Sequence, residues 1–145
     1  LIAAPHDGKV APLADFIDVD YGQWSGKSVQ EVRAQWPLEM ETWMNDPENL
    51  VFPGGESMRE VWDRVEKGIA RLEREEKERL LLVAHKLINR IIMCQFLGMP
   101  IAGIWRIEQY NGAVNVISLR ASGWMVLEMN NTCHLRGIES NPQQT

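Results

Sequence analysis

Among the residues of this chain able to do acid–base or anion chemistry, His85 has the most informative surroundings. The run Leu80-Leu81-Leu82-Val83-Ala84 is wholly apolar and stops on His85, where a helical pattern starts at once. A short apolar run without alternation predicts a strand buried on both faces, as in a parallel sheet. From Leu87 the residues Leu87, Ile88, Ile91, Ile92, Phe96 and Leu97 recur at helical spacing, until Gly98 and Pro100 end the helix. His85 is thereby predicted at the carboxyl end of a strand, the edge at which open α/β sheets bind ligands. The same place also suits a histidine that merely closes a tight turn.

Other reactive side chains narrow the chemistry by what they lack. Cys94 and Cys133 are the only cysteines, too few for a disulfide framework and without metal-ligand spacing. Cys94 falls inside the helix after His85 and reads as a buried, inert thiol. No Gly-x-Ser-x-Gly occurs, so the nucleophile elbow of an α/β hydrolase is missing. His6 lies in a loop-like stretch, His6 to Lys9. Of the six tryptophans, Trp36, Trp43 and Trp62 fit amphipathic helices as core residues. Trp24 and Trp105 fall near loops, where they could line a pocket.

The elements that must position these residues follow from the rest of the chain. At 145 residues it suits one domain, assigned here to 1–136, with a polar tail from 137 to 145. Leu1-Ile2-Ala3-Ala4 reads like the end of a helix already under way, so the chain is expected to be a fragment. Ser28 with Glu31, and Ser57 with Glu60, are capping boxes that open helices. Pro37 starts another, ended near Asp46-Pro47. The helix after Ser57 lines up Met58, Val61, Trp62, Val65, Ile69 and Leu72 on one face. Val114 to Leu119 and Trp124 to Met129 predict a hairpin turning at Ala121-Ser122-Gly123. Alternating strands and helices point to an α/β fold, a three-layer sandwich whose mostly parallel central sheet is flanked by helices.

The net charge of −5 carries no basic cluster except Arg71 to Arg79, where glutamates intervene, so nucleic acid is not an expected partner. No apolar run approaches membrane-spanning length, and no segment has a signal-peptide layout. A cytoplasmic protein without a membrane partner is expected.

Four separated pieces resemble the histidine phosphatase superfamily, the phosphoglycerate-mutase-like proteins, over nearly the whole chain. The first is Phe16-Ile17-Asp18-Val19-Asp20-Tyr21-Gly22-Gln23-Trp24-Ser25-Gly26, similar to a family segment with an acid four positions before a glycine, then Trp-Glu-Gly. The second is Pro53-Gly54-Gly55-Glu56-Ser57, identical to the family loop. The third is Ala84-His85, where the family has Ser-His-Gly. The fourth is Asn131-Thr132-Cys133-His134-Leu135, similar to a closing Asn-x-x-His-Leu. Each is weak alone, and their order and distances make the resemblance specific.

The resemblance implies phosphoryl transfer through a covalent phosphohistidine. A histidine in an upstream Arg-His-Gly attacks phosphorus, while arginines and a second histidine hold the phosphoryl oxygens. By this match His85 is that second histidine and Asp18 the acid that protonates the leaving oxygen. Asp18 stands where the family has glutamate, one methylene longer. Lys86, in place of the family's glycine, would add its amide at a helix start that favours anions. Tyr21, Trp24 and Glu56 fall at positions near the substrate, though Trp24 and Tyr21 equally suit packing and Glu56 equally suits a first-turn charge. His134 matches a structural motif, and a packing role is expected of it.

No Arg-His-Gly occurs in these 145 residues. The expectation is therefore a domain lacking the family's N-terminal strand, inactive alone, whose complete form is a phosphomonoesterase. No metal or cofactor is called for, and the partner is a phosphorylated small molecule. A non-catalytic homologue that binds phosphorylated ligands or proteins is the alternative, with a phosphoglycerate-type mutase after it. The compact, net acidic stretch from Gly26 to Pro53 favours phosphatase over mutase. An apolar strand edge at Leu80 to Ala84 predicts a homo-oligomer through that edge.

Overall fold

The computed structural model describes residues 10–75 and 78–137. Helix α1 spans Val29–Gln35, α2 Pro37–Asn45, α3 Met58–Glu73 and α4 Lys86–Phe96; strands β1, Val114–Arg120, and β2, Gly123–Asn131, close the order. Short 3₁₀ turns at Ala14–Phe16, Gly22–Trp24, Pro47–Asn49, Ile101–Arg106 and Cys133–Leu135 link them.

Both capping boxes form as the sequence predicts. Ser28 Oγ accepts from the Glu31 amide at 3.3 Å while Glu31 accepts from the Ser28 amide at 2.8 Å. Ser57 and Glu60 repeat this at 3.2 and 2.8 Å. Each box satisfies amides that a helix start leaves unpaired. These hydrogen bonds hold both Glu31 and Glu60 below the usual carboxylate range.

The core sits where α3 meets α4. Met58, Val61, Val65 and Ile69 from α3 are buried against Leu87, Ile88, Ile91, Ile92 and Met93 from α4, with Phe52 and Ile104 beside them. The Ala14–Phe16 turn rests on α3 and the Ile101–Arg106 turn on α4. Trp36, Trp43 and Trp62 pack against this core as partly buried residues, and Trp24 is fully part of it. Cys94 is buried as expected.

The hairpin forms at the predicted place. β1 and β2 pair antiparallel, Leu119 opposite Trp124 and Ile117 opposite Val126, with irregularities near Val114 and Val116. Asn130 takes a left-handed φ of 55° there, and its amide donates to Asn115 at 2.8 Å. Asparagine tolerates that region better than most residues. Gln109, almost wholly buried, exchanges two hydrogen bonds with Asn115, so its amide is satisfied inside the core. The Phe96 and Trp124 rings lie 4.5 Å apart, and Trp124 Nε1 donates to Glu73 at 2.6 Å, which fasten the hairpin to α4 and α3.

The sheet departs from expectation. Among the described residues this two-stranded antiparallel pair is the only sheet, so the mostly parallel central sheet is not found there. Leu80–Ala84 forms neither helix nor ladder. It is not buried on both faces: Leu81 is 73% and Val83 62% exposed, while Leu82 and Ala84 pack on the core. A strand exists only through a neighbour that takes up its amides and carbonyls, and no described segment forms a ladder with this one. Leu1 to Lys9, with the helix tail and the His6 loop predicted there, and the tail from 138 lie outside the described residues.

Candidate active site

His85 occupies the N-cap of α4 in extended conformation, its side chain making no capping bond. The imidazole is therefore free to face outward from a helix start, where amide donors and the dipole favour anions. Asp18, far away in sequence, comes to meet it. His85 Nδ1 and Asp18 Oδ2 lie 3.4 Å apart, and both side chains are accessible, at 57% and 43% exposed. The other Asp18 oxygen accepts from the Val19 amide at 2.9 Å.

The backbone carrying Asp18 is held by a residue the motifs did not single out. Arg64, on α3, donates to the carbonyls of Asp15 at 2.9 Å, Ile17 at 3.0 Å and Asp18 at 3.1 Å. Its remaining N–H groups bind both oxygens of Glu56 at 2.8 and 3.1 Å. Glu56 in turn accepts from the Asp20 amide at 2.9 Å. Thus Glu56 faces Arg64 and the backbone of the acid segment. One signal for Arg64 was present: it falls three residues after Val61 and four before Gly68, within the apolar stripe of α3, where a charge calls for partners.

The Pro53–Ser57 loop and the Asp20–Gly22 turn interlock. The Gln23 amide donates to Pro53 at 2.8 Å and the Glu56 amide to Asp20 at 3.0 Å. A Cβ on Gly55 would lie 2.2 Å from the Asp20 carbonyl oxygen, and one on Gly22, whose φ is +52°, 2.3 Å from that of Pro53. Glycine is needed at both points.

Tyr21 packs edge-on to Phe52, their ring centroids 5.1 Å apart. Burial, reinforced by the negative charge of Asp18, pushes its phenol up to about 12. Lys86 turns toward Glu108, 3.8 Å away, which also binds Arg90 at 2.7 Å. Burial opposes ionisation of Glu108, but the Gln109 amide and the charges of Arg90 and Lys86 outweigh it and keep its carboxyl low. Arg90, like Arg64 only partly buried, is a second charge the motifs missed, and its guanidinium lies 5.4 Å from the Trp105 ring. His134 is exposed in the Cys133–Leu135 turn and so does not take the packing role expected of it. Among the described residues no group of three or more His, Cys, Asp or Glu could hold a metal ion.

A sequence model of the histidine phosphatase superfamily (branch 1) matches residues 1–132. The chain belongs to that superfamily. Phosphoserine phosphatase 1 of Hydrogenobacter thermophilus is 31% identical over 120 residues, covering 82% of this chain and 57% of that protein. The adenosylcobalamin/alpha-ribazole phosphatase of Salmonella typhimurium is 24% identical over 121 residues, covering 83% and 59%. In structure, the alpha-ribazole phosphatase of Shigella flexneri superposes with a TM-score of 0.79 at 20% identity, over 90% of this chain and 65% of that one. The chain thus spans about three fifths of the curated relatives it matches. Among the described residues no helix is long and apolar enough to cross a membrane.

Proposed function

We propose that this histidine phosphatase domain, assigned to residues 1–136, serves phosphomonoester hydrolysis through a phosphohistidine, with the nucleophile supplied from outside these 145 residues. The observation that carries the reading is the 3.4 Å approach of His85 and Asp18 at the start of α4. In it, His85 and the first amides of α4, that of Lys86 included, hold the phosphoryl oxygens as charge develops on them. The nucleophilic histidine takes the phosphorus, the bond to the alcohol oxygen breaks, and Asp18 gives that oxygen its proton. Asp18 then takes a proton from the water that releases phosphate. Tyr21 and Trp24 flank the alcohol portion, and Glu56 acts through the Asp18 backbone. Names of the relatives, phosphoserine and alpha-ribazole phosphatases, support a small phosphorylated substrate. Free thiols at Cys94 and Cys133 suit a reducing cytoplasm.

A second reading, a non-catalytic domain that binds phosphorylated ligands, is favoured by one observation: no Arg-His-Gly occurs in the chain. One experiment separates the two. The full-length gene product is incubated with a phosphomonoester and analysed for released phosphate and an acid-labile phosphohistidine. Turnover with a trapped phosphohistidine supports the enzyme. Binding of phosphate esters without turnover supports the second reading and overturns the first.

A further inference from the structure

Asp18 rides on backbone that has no secondary structure to hold it. Residues 17–21 form neither helix nor ladder and run between the 3₁₀ turns at Ala14–Phe16 and Gly22–Trp24. Carbonyls in such a stretch need partners from elsewhere, and here one side chain supplies most of them. All five N–H groups of Arg64 are engaged, three on the carbonyls of Asp15, Ile17 and Asp18 and two on the Glu56 carboxylate. Glu56 closes the circuit: its amide donates to the Asp20 carbonyl at 3.0 Å, and its carboxylate accepts from the Asp20 amide at 2.9 Å. A planar fork of fixed donors can span these groups, whereas the donors of a lysine all sit at one point.

What the clamp fixes is the Asp18 carboxylate. That side chain is short, and one of its oxygens accepts from the Val19 amide at 2.9 Å. Val19 itself is buried in the core. The other oxygen, 3.4 Å from His85 Nδ1, therefore follows the backbone at residue 18. His85 is placed by a different element, as the N-cap of α4. Because α3 packs on α4, Arg64 ties the acid segment to the same helices that carry His85. Two further contacts hold the start of that segment to α3. Arg71 pairs with Asp15 at 2.7 Å, and Phe16 approaches Gly68 so closely that a Cβ there would meet its ring at 2.7 Å. Neither contact involves residue 18.

We propose that Arg64 is the positioning residue of the acid: by gripping the Asp18 carbonyl it sets the Asp18 carboxylate at His85, and protonation of the leaving oxygen depends on it. Arg64 acts through Asp18 and not on the substrate, and the catalytic consequence rests on the phosphatase reading. Misplacing a reacting group by about 1 Å can cost about 10²-fold in rate.

Two measurements test it, and the first needs no turnover. In the 145-residue chain the His85 imidazole signals, assigned by their loss in His85→Gln, are followed by NMR. Asp18→Asn should move them, because a charge leaves the ring's neighbour. Arg64→Ala should move them too, but no further once Asp18→Asn is present. Signals that Arg64→Ala leaves in place, or a shift that persists undiminished beside Asp18→Asn, overturn the proposal. The second measurement uses the full-length gene product with ethyl phosphate and para-nitrophenyl phosphate. Arg64→Ala should lower kcat by about ten- to a hundredfold on the ethyl ester. The loss should be far smaller on the aryl ester, whose leaving group needs no proton, with KM little changed on either. Beside Asp18→Asn, the same change should bring no further loss on the ethyl ester, since the two residues act as one unit. Arg71→Ala, which frees only Asp15, should leave the ratio of the two rates as in the parent. Equal losses on both esters, or a loss that persists beside Asp18→Asn, make Arg64 a purely structural residue and overturn the proposal. Arg64→Lys, which keeps the charge without the fork, carries every comparison if Arg64→Ala fails to fold. A parent gene product that turns over neither ester overturns the phosphatase reading and the catalytic consequence with it, while the His85 signals still decide whether Arg64 places Asp18.

Discussion

At the scale of single residues, His85 and Asp18 have separable tasks. His85→Ala in the full-length protein should lower turnover by about 10²–10³, the usual loss of one donor aimed at developing charge. Unfolding curves should be unchanged, because the ring is more exposed than buried. Asp18→Asn should slow esters with poor leaving groups most and activated aryl phosphates least, since only the former need the proton. Equal losses on both ester types would remove Asp18 from the acid role. Tyr21 offers a test on the chain as it stands. Its phenol is raised to about 12, against about 10 in an unfolded chain. Between those values the unfolded state has released a proton that the folded state keeps, so stability should fall as pH rises through this window. The buried Cys94 thiol, raised to about 11 by desolvation against the pull of Arg90, works in the same direction. An ultraviolet titration should show a late phenolate step that Tyr21→Phe abolishes. A Tyr21 step at the unfolded value would contradict its burial.

Elements carry these residues into place, and here sequence reading succeeded where the signal is local. Capping boxes at Ser28 and Ser57, the proline start of α2, the stripe of α3 and the glycine stop of α4 depend on neighbours within a few positions, and all appear where expected. The Arg64 network escaped because its partners, the carbonyls of Asp15, Ile17 and Asp18, are backbone groups distant in sequence, and no spacing encodes them. Glu56 was legible as a site residue only by resemblance, and its target, a guanidinium, was not. Side chains of Arg64 and Glu56 are 17% and 25% exposed, so solvent screens the pair only in part. Arg64→Ala strands a carboxylate and three carbonyls and should cost about 2 kcal/mol in a urea melt. Arg64→Lys keeps the charge but not the fork, and should recover only part of that loss. In both variants the amide signals from 15 to 20 should shift. A variant within about 0.5 kcal/mol of the parent, an ordinary surface effect, would make the clamp incidental. Gly55→Ala should be destabilising as well, because its Cβ would strike the Asp20 carbonyl at 2.2 Å and overpacking of that kind costs about 1–3 kcal/mol.

The molecule as a whole is decided by contacts between distant segments, which is why the sheet was the least legible feature. Leu80–Ala84 has the composition of a buried strand, and composition correctly reports what such a segment demands. Pairing depends on which other segments lie beside it, and among the described residues none forms a ladder with it. The result is an apolar segment turned partly to water, Leu80, Leu81 and Val83 at 49%, 73% and 62% exposed. Exposure alternates along it, Leu81 and Val83 outward, Leu82 and Ala84 on the core, as a strand resting on α/β packing would have it. The hairpin adds Leu119 and Leu127, each about half exposed. Uncharged, and without a ladder partner among the described residues, the 80–84 segment lacks the lysines, prolines or bulges with which sheet edges resist association. The 145-residue chain should therefore self-associate through strand addition at Leu80–Ala84, and sedimentation velocity should show weight-average mass rising with concentration. Leu81→Lys and Val83→Lys place charges on the outward positions and should return it to monomer while α3 and α4 keep their helical circular dichroism. Lysine at Leu119, on the hairpin, should have a smaller effect. A chain monomeric at all accessible concentrations, or one whose association survives both lysines, would show that this edge does not govern how the molecule meets its own copies.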